Sequence, residues 1–469
     1  MKAIEVKDVC YGRILKKVSF DWRQGEIIAL MGDNGSGKST LARLLAGLIK
    51  PEDGEIRLSI DGCSCSWDRV KRWQEIGLVG QHPRRQTIGA SVAEELSFGL
   101  LNLGQSKKSI QGKVREIVSS IGLEGKEVQS PAILSGGERQ RLVTAAILAM
   151  QPSFLILDEG LTMLDSHAQE KILKLLFQVR ETTGQLWITH DPDLAKNADR
   201  LLIIENGKLV DRGNPRDALT GVEFSPDFSS SKQRKVSAPG KVILEWRQAR
   251  IDSRLHLNAV VHTGEFIGII GPSGSGKTTL LESAMGLITL TDGELLLGGE
   301  RATKSSLNPY RQKAQYVLQE AGEYLIGRSV YHEIYYGESR QTLKEKRQEK
   351  LRELYYYDIH PDMADKTPEC LSGGERQKVA LVSALRSHPH VLLLDEPLLG
   401  LDAANRKQIQ NLISGLQGIT ILYVTHDLRE IIEYADRLWL VKNGQVAVDC
   451  SVKCWQEYRK QFKAAGVRC

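Results

Sequence analysis

The chain has 469 residues, of which 63 are basic and 58 acidic, so its formal net charge at pH 7 is +5, and 41% of its residues are hydrophobic. This is the composition of an ordinary globular protein, and so small a positive excess gives no electrostatic indication of nucleic-acid binding. The sequence lacks a run of about 18 apolar residues that could span a bilayer, and its N-terminal residues do not resemble a signal peptide. We therefore expect a cytosolic protein.

The first element with recognisable chemistry is a glycine-rich loop. It lies between residues 26–30, whose apolar pattern predicts a strand, and residues 40–46, whose pattern predicts a helix. Without side chains in the way, backbone N–H groups can surround a triphosphate, and the helix N-terminus adds its positive dipole. We expect Lys38 to reach the outer phosphates and Ser39 to bind Mg²⁺; a plain glycine-rich turn is the alternative. The candidate ligands are Gly32, Asp33, Asn34, Gly35, Ser36, Gly37, Lys38, Ser39 and Thr40.

A pair of carboxylates follows the apolar run at residues 154–157. Such a continuous run is typical of a strand that is buried on both faces of a sheet. The first carboxylate, Asp158, suits the magnesium shell, and the second, Glu159, could orient and polarise a water molecule that attacks the terminal phosphate. The alternative is an acidic pair at the surface after a strand.

The same elements recur in the second half of the chain, in the same order and at nearly constant spacing. The Ser-, Pro- and Gly-rich residues 221–240 separate the halves, so we predict a first domain at 1–220, a linker at 221–240 and a second domain at 241–469. Strands alternate with helices in each half, which indicates a parallel sheet covered by helices. Asp158 and Glu159 recur as Asp395 and Glu396, His190 recurs as His426, and the run LSGGERQ occurs at 134–140 and at 371–377. The second glycine loop consists of Gly271, Pro272, Ser273, Gly274, Ser275, Gly276, Lys277, Thr278 and Thr279.

The LSGGE run in each half resembles the phosphate-sensing motif of ABC ATPases, and the resemblance covers nearly the whole chain. It implies an α/β fold of two tandem ABC-type P-loop ATPase domains, each with a RecA-like core sheet, an antiparallel β subdomain and a helical subdomain. It also implies ATP and Mg²⁺ as cofactors, and an intramolecular ATP-sandwich dimer of the two halves. In that arrangement each ATP lies between the glycine loop of one half and the LSGG residues of the other, which are Ser135, Gly136, Gly137, Ser372, Gly373 and Gly374.

The resemblance assigns roles to several further residues. His190 and His426 resemble the switch histidine that contacts the terminal phosphate, and Gln81 and Gln319 resemble the lid glutamine that senses magnesium and the membrane partner. Asp165 and Asp402 match the aspartate of the loop after the catalytic carboxylate. Tyr11 lies where the family stacks a ring on adenine, whereas Arg250 and Ile251 in the second half offer none. Gly160 also departs from the family pattern, which usually has a proline at this position, as the second half does at Pro397.

The short linker and uninterrupted repeats favour a transport ATPase. Ribosome-associated relatives carry a long basic tether and repair relatives carry coiled-coil or zinc insertions, so these remain less favoured alternatives. The runs QHPRRQ at 81–86 and VAEELSFG at 92–99, with Asn102, resemble the ATPases of energy-coupling-factor importers, and Val330, Glu333, Tyr336 and Gly337 repeat the pattern more loosely. Importers of sugars are the second possibility within transport.

The resemblance to energy-coupling-factor importers implies a cargo and a set of partners. The cargo would be a vitamin, a vitamin precursor or a transition-metal ion. The partners would be a transmembrane coupling subunit and a substrate-binding membrane subunit, with no nucleic acid, and the protein would lie at the cytoplasmic face of the cell membrane. We also expect Glu95 and Glu333, which share one position, to pair with arginines of an incoming helix; ordinary exposed glutamates are the alternative.

Overall fold

The structure is a computed structural model that describes residues 2–61, 63–66, 72–81, 83–161, 164, 166–220, 240–252, 255–319 and 324–468. The chain divides into two compact units, Met1–Ser225 and Pro226–Cys469. Residues 221–239 of the predicted linker lie outside the described residues, so the linker remains a prediction. Among the described residues, no helix combines the length and apolar character needed to cross a bilayer.

Unit 1 contains two sheets and a set of helices. Its strands are β1 (Lys2–Tyr11), β2 (Leu15–Arg23), β3 (Ile27–Gly32), β4 (Asp53–Ile60), β5 (Cys63–Ser66), β6 (Ile76–Val79), β7 (Phe154–Asp158), β8 (Gly184–Ile188), β9 (Arg200–Glu205) and β10 (Lys208–Gly213). Its α-helices are α1 (Lys38–Leu45), α2 (Arg72–Glu75), α3 (Val92–Asn102), α4 (Lys107–Ser120), α5 (Gly136–Ala149), α6 (Ser166–Gln178), α7 (Pro192–Ala195) and α8 (Pro215–Ala218), with 3₁₀ turns at Pro83–Arg85 and Pro131–Ile133.

Unit 2 repeats this series of elements. Its strands are β11 (Val242–Ile251), β12 (Leu255–His262), β13 (Phe266–Ile270), β14 (Asp292–Leu297), β15 (Glu300–Arg301), β16 (Ala314–Val317), β17 (Val391–Asp395), β18 (Thr420–Thr425), β19 (Arg437–Lys442) and β20 (Gln445–Ser451). Its α-helices are α9 (Lys277–Ala284), α10 (Lys304–Lys313), α11 (Val330–Ile334), α12 (Arg340–Glu345), α13 (Arg347–Tyr356), α14 (Gly373–Arg386), α15 (Ala403–Ser414) and α16 (Arg459–Ala464). Its 3₁₀ turns are Pro361–Met363, Pro368–Cys370, Leu428–Glu430 and Val452–Tyr458.

The two units share one sheet topology. The core sheet has the order β10-β9-β3-β8-β7-β6 in unit 1 and β20-β19-β13-β18-β17-β16 in unit 2, and only its β10 or β20 edge is antiparallel to the neighbouring strand. The second sheet is antiparallel, with the order β2-β1-β4-β5 or β12-β11-β14-β15. Helices α3, α4 and α5 pack around a separate apolar cluster in unit 1. The predicted fold, with its core sheet, antiparallel subdomain and helical subdomain, is confirmed.

Strand β7 shows why its sequence is a continuous apolar run. Phe154 and Ile156 pack into the cluster that joins the core sheet to the antiparallel sheet. Leu155 and Leu157 point to the opposite face and pack with residues of α5 and α6. Because successive side chains of a strand alternate between faces, a strand covered on both sides needs apolar residues at every position. The predicted strand before each carboxylate pair is confirmed, since β17 is likewise fully buried.

Candidate functional site

In each unit the glycine loop joins a central strand of the core sheet to a helix. Gly37 and Gly276 immediately precede α1 and α9, and they have φ values of 111° and 102°, which a residue with a side chain rarely adopts. Among the described residues, the hydroxyls of Ser36 and Ser275 are buried without a hydrogen-bond partner. Both loops therefore present unused donors where a phosphate chain is expected.

A lysine directly follows each glycine loop as the first residue of the next helix, and its amine contacts the loop. Lys38 Nζ donates to the carbonyl oxygens of Gly32 and Asp33, at 2.8 Å each. Lys277 Nζ donates to those of Gly271 and Pro272, at 2.7 and 2.9 Å. The lysines are only 5% and 7% exposed. A buried ammonium group is costly unless it is well compensated, so each loop holds a positive charge that suits an anionic ligand.

The aspartates at the ends of β7 and β17 lie beside the hydroxyl groups of the loops. Thr278 Oγ1 donates to Asp395 Oδ2 at 2.8 Å, and Ser39 bonds to Asp158 in the same way. Burial raises the pKa of both aspartates to about 6. Asp158 Oδ1 is also buried with no hydrogen-bond partner in the described part of the chain. A divalent cation would compensate such carboxylates, and Mg²⁺ prefers oxygen ligands, so these residues fit the predicted magnesium sites.

The next residue in each unit, Glu159 or Glu396, has a left-handed backbone. The φ values are 55° and 47°, and the N–H groups donate to the carbonyl oxygens of Ile188 and Val424, at 3.0 Å each. A residue other than glycine in this region costs on the order of 1–3 kcal/mol, and such strain is concentrated at functional sites. The same strained turn in both units therefore supports a functional role for the two glutamates.

Each glutamate contacts the predicted switch histidine of its own unit. His190 Nε2 lies 3.1 Å from Glu159 Oε1, and His426 Nδ1 lies 2.7 Å from Glu396 Oε2. Burial raises the pKa of Glu159, but the hydrogen bond and charge of His190 more than offset this and hold it below its usual value. Burial lowers the pKa of His426, but Glu396 raises it above its usual value overall. The pair in unit 1 therefore favours an ionised Glu159, the form that can orient water.

The two predicted lid glutamines differ. Gln81 Nε2 donates to Glu159 Oε2 at 2.6 Å. Gln319 is exposed, and within the described ranges no hydrogen bond joins it to Glu396. The structure therefore brings Gln81 into the site of unit 1 and leaves Gln319 outside that of unit 2.

The LSGG residues form the N-termini of α5 and α14. Ser135 and Ser372 are the N-caps, and each forms a capping box with the glutamate three residues later, Glu138 or Glu375. The box satisfies one amide of the first turn, and the remaining amides and the helix dipole can attract an anion. The role of Ser135, Gly136, Gly137, Ser372, Gly373 and Gly374 toward a nucleotide remains a prediction.

Tyr11 and Ile251 are at equivalent positions, since each ends the first strand of its unit. Tyr11 pairs with Leu15, and Ile251 pairs with Leu255. Tyr11 is partly exposed, whereas Ile251 is buried. The side chain of Leu15 also lies against Gly37 of the glycine loop. The turn that follows Tyr11 is thus part of the surroundings of this loop, and unit 2 has no ring at the same place.

Two further sequence features have a structural account. A Cβ atom at Gly160 would lie 2.5 Å from Nε2 of the buried Gln140, so the glycine makes room for this amide. Asp402 caps α15 by accepting from the N–H of Asn405 at 2.8 Å. Its counterpart Asp165 lies outside the described residues.

Sequence reasoning missed a turn that borders the loop of unit 2. Asn443 and Gly444, between β19 and β20, line the same pocket as Lys277 and Thr278. The N–H of Gly444 donates to the carbonyl oxygen of Ser275 at 2.9 Å. An Asn-Gly pair is a recognisable turn signal, but nothing local to it indicates which loop it contacts.

Glu95 and Glu333 fit neither the predicted pairing with arginines of an incoming helix nor the alternative of ordinary exposed glutamates. Both side chains point inward and are only 7% and 8% exposed. Glu95 Oε2 accepts from the N–H groups of Ile88 and Gly89 at 2.8 and 2.7 Å, and Glu333 Oε2 accepts from those of Ile326 and Gly327 at 2.9 and 2.6 Å. These hydrogen bonds are partly buried, and backbone N–H groups that lose contact with water need acceptors. Each glutamate therefore anchors the segment before its helix instead of meeting a partner.

Comparisons with known proteins agree with this geometry. A family model described as "ABC transporter" matches residues 15–162 and 255–399. A Bifidobacterium longum protein named "Putative ABC transporter ATP-binding protein" is 30% identical over 90% of this chain and 62% of its own length. A protein with the same descriptive name from Caldanaerobacter subterraneus is 28% identical over 95% of this chain and 90% of its own length. The chain thus spans less than two thirds of the first relative.

A solved structure shows the same fold along almost the whole chain. The model of ribosome-bound archaeal Pelota and ABCE1 contains a chain that matches with a TM-score of 0.70 and 22% identity, over 98% of this chain and 80% of that one. At this identity the likeness concerns the fold alone.

Proposed function

The chain belongs to the ABC transporter family, and from this premise we propose that it is the ATP-hydrolysing subunit that powers import of a small nutrient through a separate membrane protein. The nutrient would be a vitamin, a vitamin precursor or a transition-metal ion, and the transporter would be of the energy-coupling-factor type. The observation that carries the proposal is that each unit holds a loop lysine, an aspartate beside a hydroxyl group, and a strained glutamate in contact with a histidine.

In this proposal each group has one task. Lys38 and Lys277 bind the outer phosphates of ATP, and Glu159 and Glu396 orient the attacking water and accept its proton. The two switch histidines hold these carboxylates in place. Mg²⁺ would be held by Ser39 with Asp158 and by Thr278 with Asp395, and would neutralise charge on the phosphates.

Support for a membrane partner comes from apolar side chains on the segments singled out in the sequence. Ile88, Phe98 and Leu101 are 62%, 50% and 50% exposed, and Ile326 and Tyr336 in unit 2 are 68% and 70% exposed. Exposed apolar groups of this size suit a protein partner. Attachment to such a partner would place the chain at the cytoplasmic face of the membrane.

Removing two of these side chains tests the partner. A chain with Ile88→Ser and Ile326→Ser should keep its ATP affinity but lose co-purification with its membrane subunits, because the docking contacts are apolar. Tagged chains would be recovered from detergent-solubilised membranes and, in parallel, from ribosome fractions of a sucrose gradient. The matched control is Leu48→Ser with Leu287→Ser, whose leucines are 66% and 56% exposed. Recovery with ribosomes instead of membrane proteins would favour the translation alternative.

A second prediction concerns the adenine. Stacking contacts of aromatic rings contribute about 0.5–1.5 kcal/mol, so Tyr11→Ala should weaken nucleotide binding in unit 1 by about 2- to 10-fold and leave unit 2 unchanged. Fluorescent ATP would be titrated into chains in which Lys38→Ala or Lys277→Ala leaves a single loop intact. Equal loss in both backgrounds, or no loss in either, would contradict the stacking role of Tyr11.

A further inference from the structure

The aspartates that fit magnesium have different neighbours in the two units. In unit 2 the hydroxyl of Tyr316 donates to Asp395 Oδ2 at 3.2 Å, beside the donation from Thr278. Tyr316 lies on β16, the strand next to the one that ends at Asp395. Its ring is partly buried against the apolar cluster beneath the antiparallel sheet. The phenol thus reaches the carboxylate from a fixed position on the sheet.

The equivalent residue in unit 1 is Leu78. It pairs with Ile156 two positions before Asp158, as Tyr316 pairs with Leu393 two positions before Asp395. A leucine has no donor, so Asp158 lacks this hydrogen bond. The register of the two sheets therefore shows that a phenol replaces an apolar side chain at one position of an otherwise repeated site.

The helices that follow the glycine loops carry a second difference, of opposite charge. Arg43 is the sixth residue of α1, and Glu282 is the sixth residue of α9. Arg43 therefore brings a positive charge to the helix that carries Ser39, whereas Glu282 brings a negative charge to the helix that carries Thr278. Tyr316, in contrast to Arg43, contributes an uncharged donor, its phenol hydroxyl.

We propose that Tyr316 is a positioning residue for the metal-site carboxylate, and that the site of unit 2 binds a divalent cation together with nucleotide more tightly than the site of unit 1. Arg43 places a positive charge on the helix of unit 1 that carries Ser39, and a positive charge repels a cation. In unit 2, Tyr316 holds Asp395 in place through a neutral donor, which does not repel a cation. Glu282 adds negative charge to the helix that carries Thr278. This inference rests on the proposed function, since it assumes that both sites bind ATP with Mg²⁺.

The test measures how much Mg²⁺ strengthens nucleotide binding at each site. A fluorescent non-hydrolysable ATP analogue would be titrated into the full chain in excess Mg²⁺ and in EDTA, with Lys38→Ala isolating unit 2 and Lys277→Ala isolating unit 1. The ratio of the two dissociation constants should be larger for unit 2. Tyr316→Phe should lower that ratio about 10-fold, as is usual for loss of a group that orients a metal ligand, while affinity in EDTA stays unchanged.

Matched variants separate this role from a structural one. Tyr310→Phe removes another buried phenol from the same cluster and should leave the ratio unchanged. Glu282→Arg should lower the ratio in unit 2, and Arg43→Glu should raise it in unit 1. An unchanged ratio with Tyr316→Phe, or a loss of affinity that is the same in EDTA, would overturn the inference and leave the proposed function standing. If neither unit showed Mg²⁺-dependent nucleotide binding, both this inference and the proposed function would be overturned.

Discussion

A chain carrying both Glu159→Gln and Glu396→Gln is expected to bind ATP as before but to hydrolyse it on the order of 10²–10⁴-fold more slowly. The amide cannot accept a proton from the attacking water, although it has nearly the same shape. The loop lysines and metal-site aspartates are untouched, so nucleotide affinity should persist. Phosphate release in a single turnover and the dissociation constant of fluorescent ATP measure the two properties separately.

The control for this pair is Glu52→Gln with Glu300→Gln, which neutralises one exposed glutamate in each unit. It should leave both hydrolysis and binding unchanged. Hydrolysis by the Glu159 and Glu396 double variant at more than about a tenth of the normal rate would remove these residues from the catalytic role, because general-base removal has a larger effect. If the double variant lost ATP binding instead, the strained turns at Glu159 and Glu396 would be needed to keep the glycine loops in position.

The second large effect is expected from Glu95→Ala together with Glu333→Ala. Each substitution leaves two partly buried amides without their acceptor, and a fully buried group left unsatisfied would cost about 1–3 kcal/mol. The segments that present Ile88 and Ile326 should then loosen, and co-purification with the proposed membrane subunits should be lost. Hydrogen exchange at the amides of Ile88, Gly89, Ile326 and Gly327 measures the loosening directly, and we expect it to accelerate by about 10-fold or more.

A neighbouring glutamate provides the control for these anchors. Among the described residues, the side chain of Glu94 accepts from the N–H of Ala90 at an exposed site, so Glu94→Ala should change neither exchange at Ile88 nor assembly. Substitution of Glu95 by Gln keeps an acceptor oxygen and should have an intermediate effect. If the four amides keep their normal exchange rates in the Glu95 and Glu333 double variant, the glutamates do not anchor these segments.

Much of the candidate site was visible in the sequence because it depends on local pattern. Glycine, lysine and hydroxyl residues at fixed spacing define the loop before α1, and the apolar run of β7 defines the strand that ends in two carboxylates. The doubling of the whole set identified two units. The sequence did not predict that the side chain of Glu95 points inward. A glutamate on a helix occurs in the same sequence pattern whether its carboxylate accepts from a neighbouring segment or faces solvent.

The sequence by itself determined the repeated fold, the glycine loops and the order of the chemical groups, because each is specified within a few neighbouring residues. Only the tertiary structure decided which distant residues meet. Gln81 contacts Glu159 across 78 positions of the chain, and Tyr316 contacts Asp395 across 79. Such contacts are set by strand order and by pairing register, which a local pattern does not encode. The differences between the two units therefore became visible only when the sheets were formed.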